Sequence, residues 1–135
     1  MNRFQLVDQL RELKSNGFGI RIWEDYSKLI VSGIELRGGG WTGSEDRPMY
    51  TFPALIDIPP DFPITVPGKG GFTHPRYAVH IPLIKHNGSK LSHLHECRHV
   101  PWYWFCFEGI TWNPRTDNLF TLLQIIEYSI YRRRK

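Results

Sequence analysis

Two cysteines and a cluster of histidines are the residues best able to do chemistry in this chain. Cys106 stands inside the aromatic run "WYWFCF", six residues ahead of Trp112-Asn113-Pro114. Cys97 sits in "LSHLHECRH", among His93, His95 and His99. An accessible thiolate attacks acyl carbonyls, and nearby positive charge favours the ionised form. His95, Arg98 and His99 lie close to Cys97 in a polar stretch, and their charge would lower its pKa. Cys106 reads two ways. Its position suits a nucleophile, but "VPWYWFCFEG" alternates like a strand, with Trp102, Trp104 and Cys106 on one face, so it also reads as packed core.

Other groups bear on an acyl-transfer site. Asn87 is the asparagine ahead of Cys97 that could steady an oxyanion. The same residue begins Asn-Gly in "HNGS", a strong turn signal. His86 precedes it, and His80 lies in an apolar strand-like run. The H-x-H-x-C-x-H run at 93–99 offers zinc ligands. In an extended chain those four alternate positions stretch too far for one tetrahedron unless the loop curls. No metal is therefore expected, and a zinc domain stands only as an alternative.

The elements that must position these residues follow from periodicity. Phe4, Leu6, Val7, Leu10 and Leu13 have helical spacing over 2–15, and Gly17 is a stop. "FGIRIW" and "KLIVSGIEL" read as strands joined by the turn "EDYS". "RGGGWTGSEDRP" reads as a loop, and "MYTFPALIDI" as a third strand with Tyr50, Phe52, Ala54, Ile56 and Ile58 on one face. Pro53 places that strand at an edge or at a bulge. The segment 59–71 holds four prolines and three glycines and reads as a rigid connector. "RYAVHIPLI" is a fourth strand, 85–101 a long loop, and 116–131 a helix capped by Thr116 or Asp117. Its buried stripe is Leu119, Leu122, Leu123, Ile126 and Ile130. The strand connections are too short for helical crossovers. The expected fold is α+β: an N-terminal helix, a four-stranded antiparallel meander, a long active-site loop and a C-terminal helix, in one domain over 1–135.

Composition bounds the partners. The chain has 135 residues, 41% of them hydrophobic and 14% aromatic, enough for one folded core. No apolar run is long enough to span a membrane, and the charged N-terminus lacks a signal-peptide core, so a cytoplasmic location is expected. The net charge of +4 matches the four cations Arg132, Arg133, Arg134 and Lys135, which leaves the rest balanced. A basic tail touches nucleic acid or simply complements a helix C-terminus. Without a basic face elsewhere, nucleic-acid binding is not expected. No P-loop, dinucleotide fingerprint or G-x-S-x-G motif is present.

Three segments together resemble the ubiquitin-conjugating enzyme superfamily, and the likeness covers most of the chain. "IDIPPDFPITVP" is similar to the family's strand and proline-rich connector. "FTHPRYAVHIP" lies where the family has its fourth strand and a His-Pro-Asn motif. "CFEGITWNPRTDNLFTLLQII" is similar to its active-site cysteine, tryptophan-x-proline and leucine-rich helix. The departures are concrete. His74-Pro75-Arg76 lacks the asparagine, His86-Asn87 lacks the proline, and one helix follows the cysteine where typical eukaryotic members have more. The short form resembles divergent bacterial members that act with bacterial ubiquitin-like modifiers.

The resemblance implies a carrier that takes a ubiquitin-like protein from an activating enzyme as a cysteine thioester and passes it to a protein target. It implies no cofactor. Cys106 is the first choice of nucleophile and Cys97 the reserve. The latter lies eleven residues after His86, close to the family's histidine-to-cysteine spacing. His80 would be a structural histidine holding the active-site loop. The first helix would dock the activating enzyme, and the bacterial relatives suggest antiphage defence. A non-catalytic member that only binds a ubiquitin-like protein is the other reading.

Overall fold

The computed structural model describes residues 3–58, 79–92, 94–97, 101–105 and 116–133. In chain order the elements are α1 (Arg3–Ser15), β1 (Gly19–Ile22), β2 (Lys28–Glu35), β3 (Trp41–Thr42), β4 (Thr51–Asp57), β5 (Val79–Ile81), β6 (Lys85–His86), β7 (Ser89–Lys90), β8 (Leu94–Glu96), β9 (Tyr103–Phe105) and α2 (Leu119–Arg132). The proline-rich connector, His74-Pro75-Arg76, Cys106 and Trp112-Asn113-Pro114 lie outside the described residues.

The α+β class, both helices and the antiparallel pairing hold, but the sheet is larger than the expected four strands. Six strands pair in the order β1-β2-β4-β5-β9-β8, and a second sheet has the order β3-β6-β7. One extra strand, β9, is the alternating aromatic run, and the others come from two segments read as loops. β3 arises within 37–48, and β6, β7 and β8 arise within 85–101. Two- and three-residue strands carry too few side chains to show a period of two. Pairing creates them, long-range for Trp41 opposite His86 and local for Glu96 opposite Tyr103.

Each helix is built for one apolar face. In α1, Leu6 and Leu13 are wholly buried and Leu10 packs against the core. Phe4, expected on that stripe, is 86% exposed. It sits two residues before Leu6, which rotates it by about 200° to the far side of the helix. The helix ends in a Schellman motif: Phe18 N–H donates to the Leu13 carbonyl (3.2 Å), Gly17 N–H donates to that of Lys14 (3.1 Å), and Gly17 takes φ 90°. In α2, all five expected stripe residues are buried. The helix starts later than expected, and Asn118, not Thr116 or Asp117, caps it through Oδ1 to Thr121 N–H.

The register fixes which side chains meet. Opposite Pro53, β2 carries a bulge between Val31 and Ile34, with Gly33 at φ 94°. β4 is central, so Pro53 is tolerated by the bulge and not by an edge. Phe52, Ala54, Ile56 and Ile58 join the main cluster with both helices, whereas Tyr50 lies before β4 and is exposed. In β9 the core side chain is Phe105, while Trp104 is half-buried. The parity is therefore opposite to the expected buried face of Trp102 and Trp104.

Candidate functional site

Cys97 is the first residue beyond β8, an edge strand whose partner is β9. The ladder pairs Leu94 with Phe105, His95 with Trp104 and Glu96 with Tyr103, so Cys97 and Trp102 lie just beyond its last pair. The Cys97 thiol donates to the Trp102 carbonyl at 3.4 Å, across that end of the ladder. The residue is half-buried and unpaired with any other cysteine.

The residue lines a pocket of about 340 Å³ with Ser44, Leu83, Glu96, Pro101, Trp102 and Tyr103. Three distant segments build it. The turn at 44–46 supplies Ser44 and is tied to β6 by Lys85 Nζ to Asp46 Oδ1 at 3.1 Å. Glu45 and Asp46 both take positive φ, 59° and 55°, which folds this turn tightly. Leu83 comes from the link between β5 and β6, and the rest from that end of the β8–β9 ladder. Lys90 sits 5.0 Å from the Tyr103 ring centroid and ties β7 to the pocket wall. The lining thus offers one thiol, two hydroxyls, one carboxylate and apolar walls. Such a set suits a nucleophile with hydrogen-bond donors beside it.

His86 and Asn87 sit elsewhere, in the small sheet. His86 is 7% exposed, its Nε2 donates to the Gly39 carbonyl at 3.0 Å, and its ring lies 4.5 Å from that of Trp41. Asn87 and Gly88, at φ 50° and 84°, form the two-residue turn between β6 and β7. Asn87 N–H donates to the Gly40 carbonyl at 2.9 Å, and any side chain at position 40 would run into the Asn87 carboxamide. Trp41 Nε1 donates to the Arg37 carbonyl at 2.8 Å. These contacts staple the "RGGG" segment onto the hairpin.

His80 lies in β5, 5% exposed, with Nδ1 donating to the Leu55 carbonyl at 3.3 Å. Its cross-strand partners place Leu55, His80, Trp104 and His95 in one row on the same sheet face. The His95 and Trp104 rings are 5.2 Å apart. Among the described residues, none of His80, His86 and Asn87 lines the Cys97 pocket. Sequence reasoning missed Ser44, Leu83, Glu96 and Tyr103. Their only signal was indirect: a turn-forming "GSEDRP" and an alternating aromatic run that the β3–β6 and β8–β9 pairings bring together.

His93 and His99 lie outside the described residues, and among those described no group of three or more His, Cys, Asp or Glu could hold a metal ion. The basic tail covers rings. Arg132 lies 5.7 Å from the Tyr128 centroid and Arg133 5.6 Å from that of Phe105, while Arg133 Nη1 donates to Ser92 Oγ at 3.5 Å. Both cations sit at the end of α2, where they favour its dipole. Among the described residues no helix is long and apolar enough to cross a membrane. Compared with known proteins, the chain matches no family model, no curated protein and no solved structure.

Proposed function

We propose that this chain is a thiol acyl carrier of the ubiquitin-conjugating type, acting in the cytoplasm on a ubiquitin-like protein supplied by an activating enzyme. One observation carries the reading: Cys97 lines a pocket of about 340 Å³ that Ser44, Tyr103 and Glu96 also line. The α+β order, with a helix before and after an antiparallel sheet, agrees with it.

In this scheme the Cys97 thiolate attacks the carbonyl carbon of the incoming thioester, and the donor's thiolate leaves. The Ser44 and Tyr103 hydroxyls are the pocket's side-chain donors for the tetrahedral oxyanion in this reading. The target's amine then attacks the new thioester, and the Cys97 thiolate departs. Glu96 is the pocket carboxylate that can take the amine's proton. Cys106 is the rival acceptor, by its place before Trp112-x-Pro114.

The test is transfer from a synthetic peptide that ends in a glycine thioester. The expected product is a hydroxylamine-labile adduct on Cys97 in the folded protein, abolished by Cys97→Ser and kept by Cys106→Ser. An adduct on Cys106 alone would move the site to that residue. No adduct on either cysteine, with both reactive after unfolding, would leave the binding-only reading. One observation favours that second reading: the resting thiol spends its proton on the Trp102 carbonyl, with His86 and Asn87 engaged in the small sheet.

A further inference from the structure

The Asn-Gly pair that the carrier reading leaves unused has chemistry of its own. We propose that Asn87–Gly88 is a self-modification site, where the folded chain forms a succinimide and hydrolyses to aspartate and isoaspartate, while the fold protects the chain's other Asn-Gly pair, Asn16–Gly17. In this reaction the backbone nitrogen of the glycine attacks Cγ of the asparagine. The new C–N bond closes a five-membered imide, the carboxamide C–N bond breaks, and ammonia leaves with the proton of the glycine N–H. Water then opens the ring at either carbonyl. Water is the only co-reactant.

Both asparagines are exposed, so access of water does not separate them. The hydrogen bonds do. At the end of α1, Gly17 N–H is held by the Lys14 carbonyl at 3.1 Å. The Asn16 carboxamide donates through Nδ2 to the Glu12 carbonyl at 2.8 Å, and Asn16 N–H donates to the carbonyls of Glu12 and Leu13 at 3.2 and 3.1 Å. The attack at Asn16 must therefore break the bond that terminates the helix and pull the carboxamide off the last turn. At the β6–β7 turn, no backbone carbonyl among the described residues accepts from Gly88 N–H, the attacking nitrogen. A methyl placed on Gly88 would meet nothing within 4 Å, so water reaches the glycine side of the imide, while the Asn87 carboxamide turns away from Gly40 to meet the nitrogen.

The product matters to the fold. Isoaspartate routes the main chain through Cβ and adds one backbone atom to a turn that holds only two residues between His86 and Ser89. The register of β6 with β7 and the Asn87 N–H bond to Gly40 cannot both survive, so the staple on the "RGGG" segment is released.

The experiment incubates the intact protein at 37 °C in mildly alkaline buffer, with and without concentrated guanidinium chloride, and maps peptides by mass spectrometry. Isoaspartate is read by enzymatic methylation. In the folded protein Asn87 converts at least about fivefold faster than Asn16, the factor worth one backbone hydrogen bond of about 1 kcal/mol. In denaturant the two sites convert at similar rates. Equal rates in the folded protein would overturn the proposal. So would an Asn87 that stays intact in the folded protein yet converts once it is unfolded.

Discussion

The start of α2 is held from two directions, and removing either hold has a calculable cost. A helix leaves its first N–H groups without internal partners. Here Thr121 N–H donates to Asn118 Oδ1 at 3.0 Å, and Asn118 N–H donates back to Thr121 Oγ1 at 3.3 Å. Leu119 N–H donates to Gln9 Oε1 of α1 at 2.9 Å. Asn118→Ala removes the cap and costs about 1 kcal/mol, within a range of about 0.5–2. Gln9→Ala removes a part-buried tie between the two helices and costs about 1 kcal/mol. The two bonds serve the same turn, so fraying after one loss weakens the other, and the double variant costs less than the sum by about 0.5 kcal/mol. The assay is urea unfolding followed by far-UV circular dichroism, with m unchanged and the midpoint lowered. In a thermal scan each kcal/mol lowers Tm by about 3–5 °C at this chain length. An Asn118→Ala loss below about 0.3 kcal/mol, or a clear sub-sum effect absent from the double variant, would refute the shared-turn reasoning.

Three further outcomes are expected. Gly33→Ala at φ 94° costs roughly 1–2 kcal/mol from backbone strain alone, because the nearest atoms to a Cβ there lie at ordinary contact distance; urea titration reads it. The Ser27 hydroxyl, and then its amide, hold the Asp25 carboxyl below the usual carboxylate range. Its stabilising contribution is thus present above the unfolded pKa of about 3.9 and is lost as pH falls through the lower folded value, so the Tm gap between wild type and Asp25→Ala closes in acid. His86→Gln weakens the link to Gly39 and the contact with Trp41, so Tm falls in a thermal scan; an unchanged Tm would show that these contacts do not hold the small sheet.

The parts of the fold that sequence announces are those with many residues per period. The stripe of α2 spans more than three turns, and every one of its five apolar positions is buried. β2 and β4 likewise show themselves by length. Pro53 and Gly33 each looked local in the sequence, yet they are one feature: the glycine supplies the bulge that lets the proline sit in a central strand. β3 and β6 could not be read. Each has two residues, and each exists because the other is there, 43 and 45 positions away in the register Thr42 with Lys85 and Trp41 with His86. Long-range pairing of this kind leaves no local trace, and the turn wall at Ser44 depends on it.

Of the two cysteines, Cys97 is the one that falls among the described residues. The likeness to conjugating enzymes leans on Cys106, through the tryptophan-x-proline that follows it, while the pocket belongs to Cys97. Along the β8–β9 ladder, Phe105, the neighbour of Cys106, pairs with Leu94 at one end, and Cys97 lies just past the Glu96–Tyr103 pair at the other. Ser44, Glu96 and Tyr103 therefore gather at the end that Cys97 occupies. An acyl group found on Cys97 would draw on those three side chains, so Tyr103→Phe and Ser44→Ala would each slow its formation. A transfer rate indifferent to both substitutions would take the chemistry away from this pocket. The response to Tyr103→Phe thus reports whether the pocket that Cys97 lines does the chemistry, independently of where an adduct is trapped.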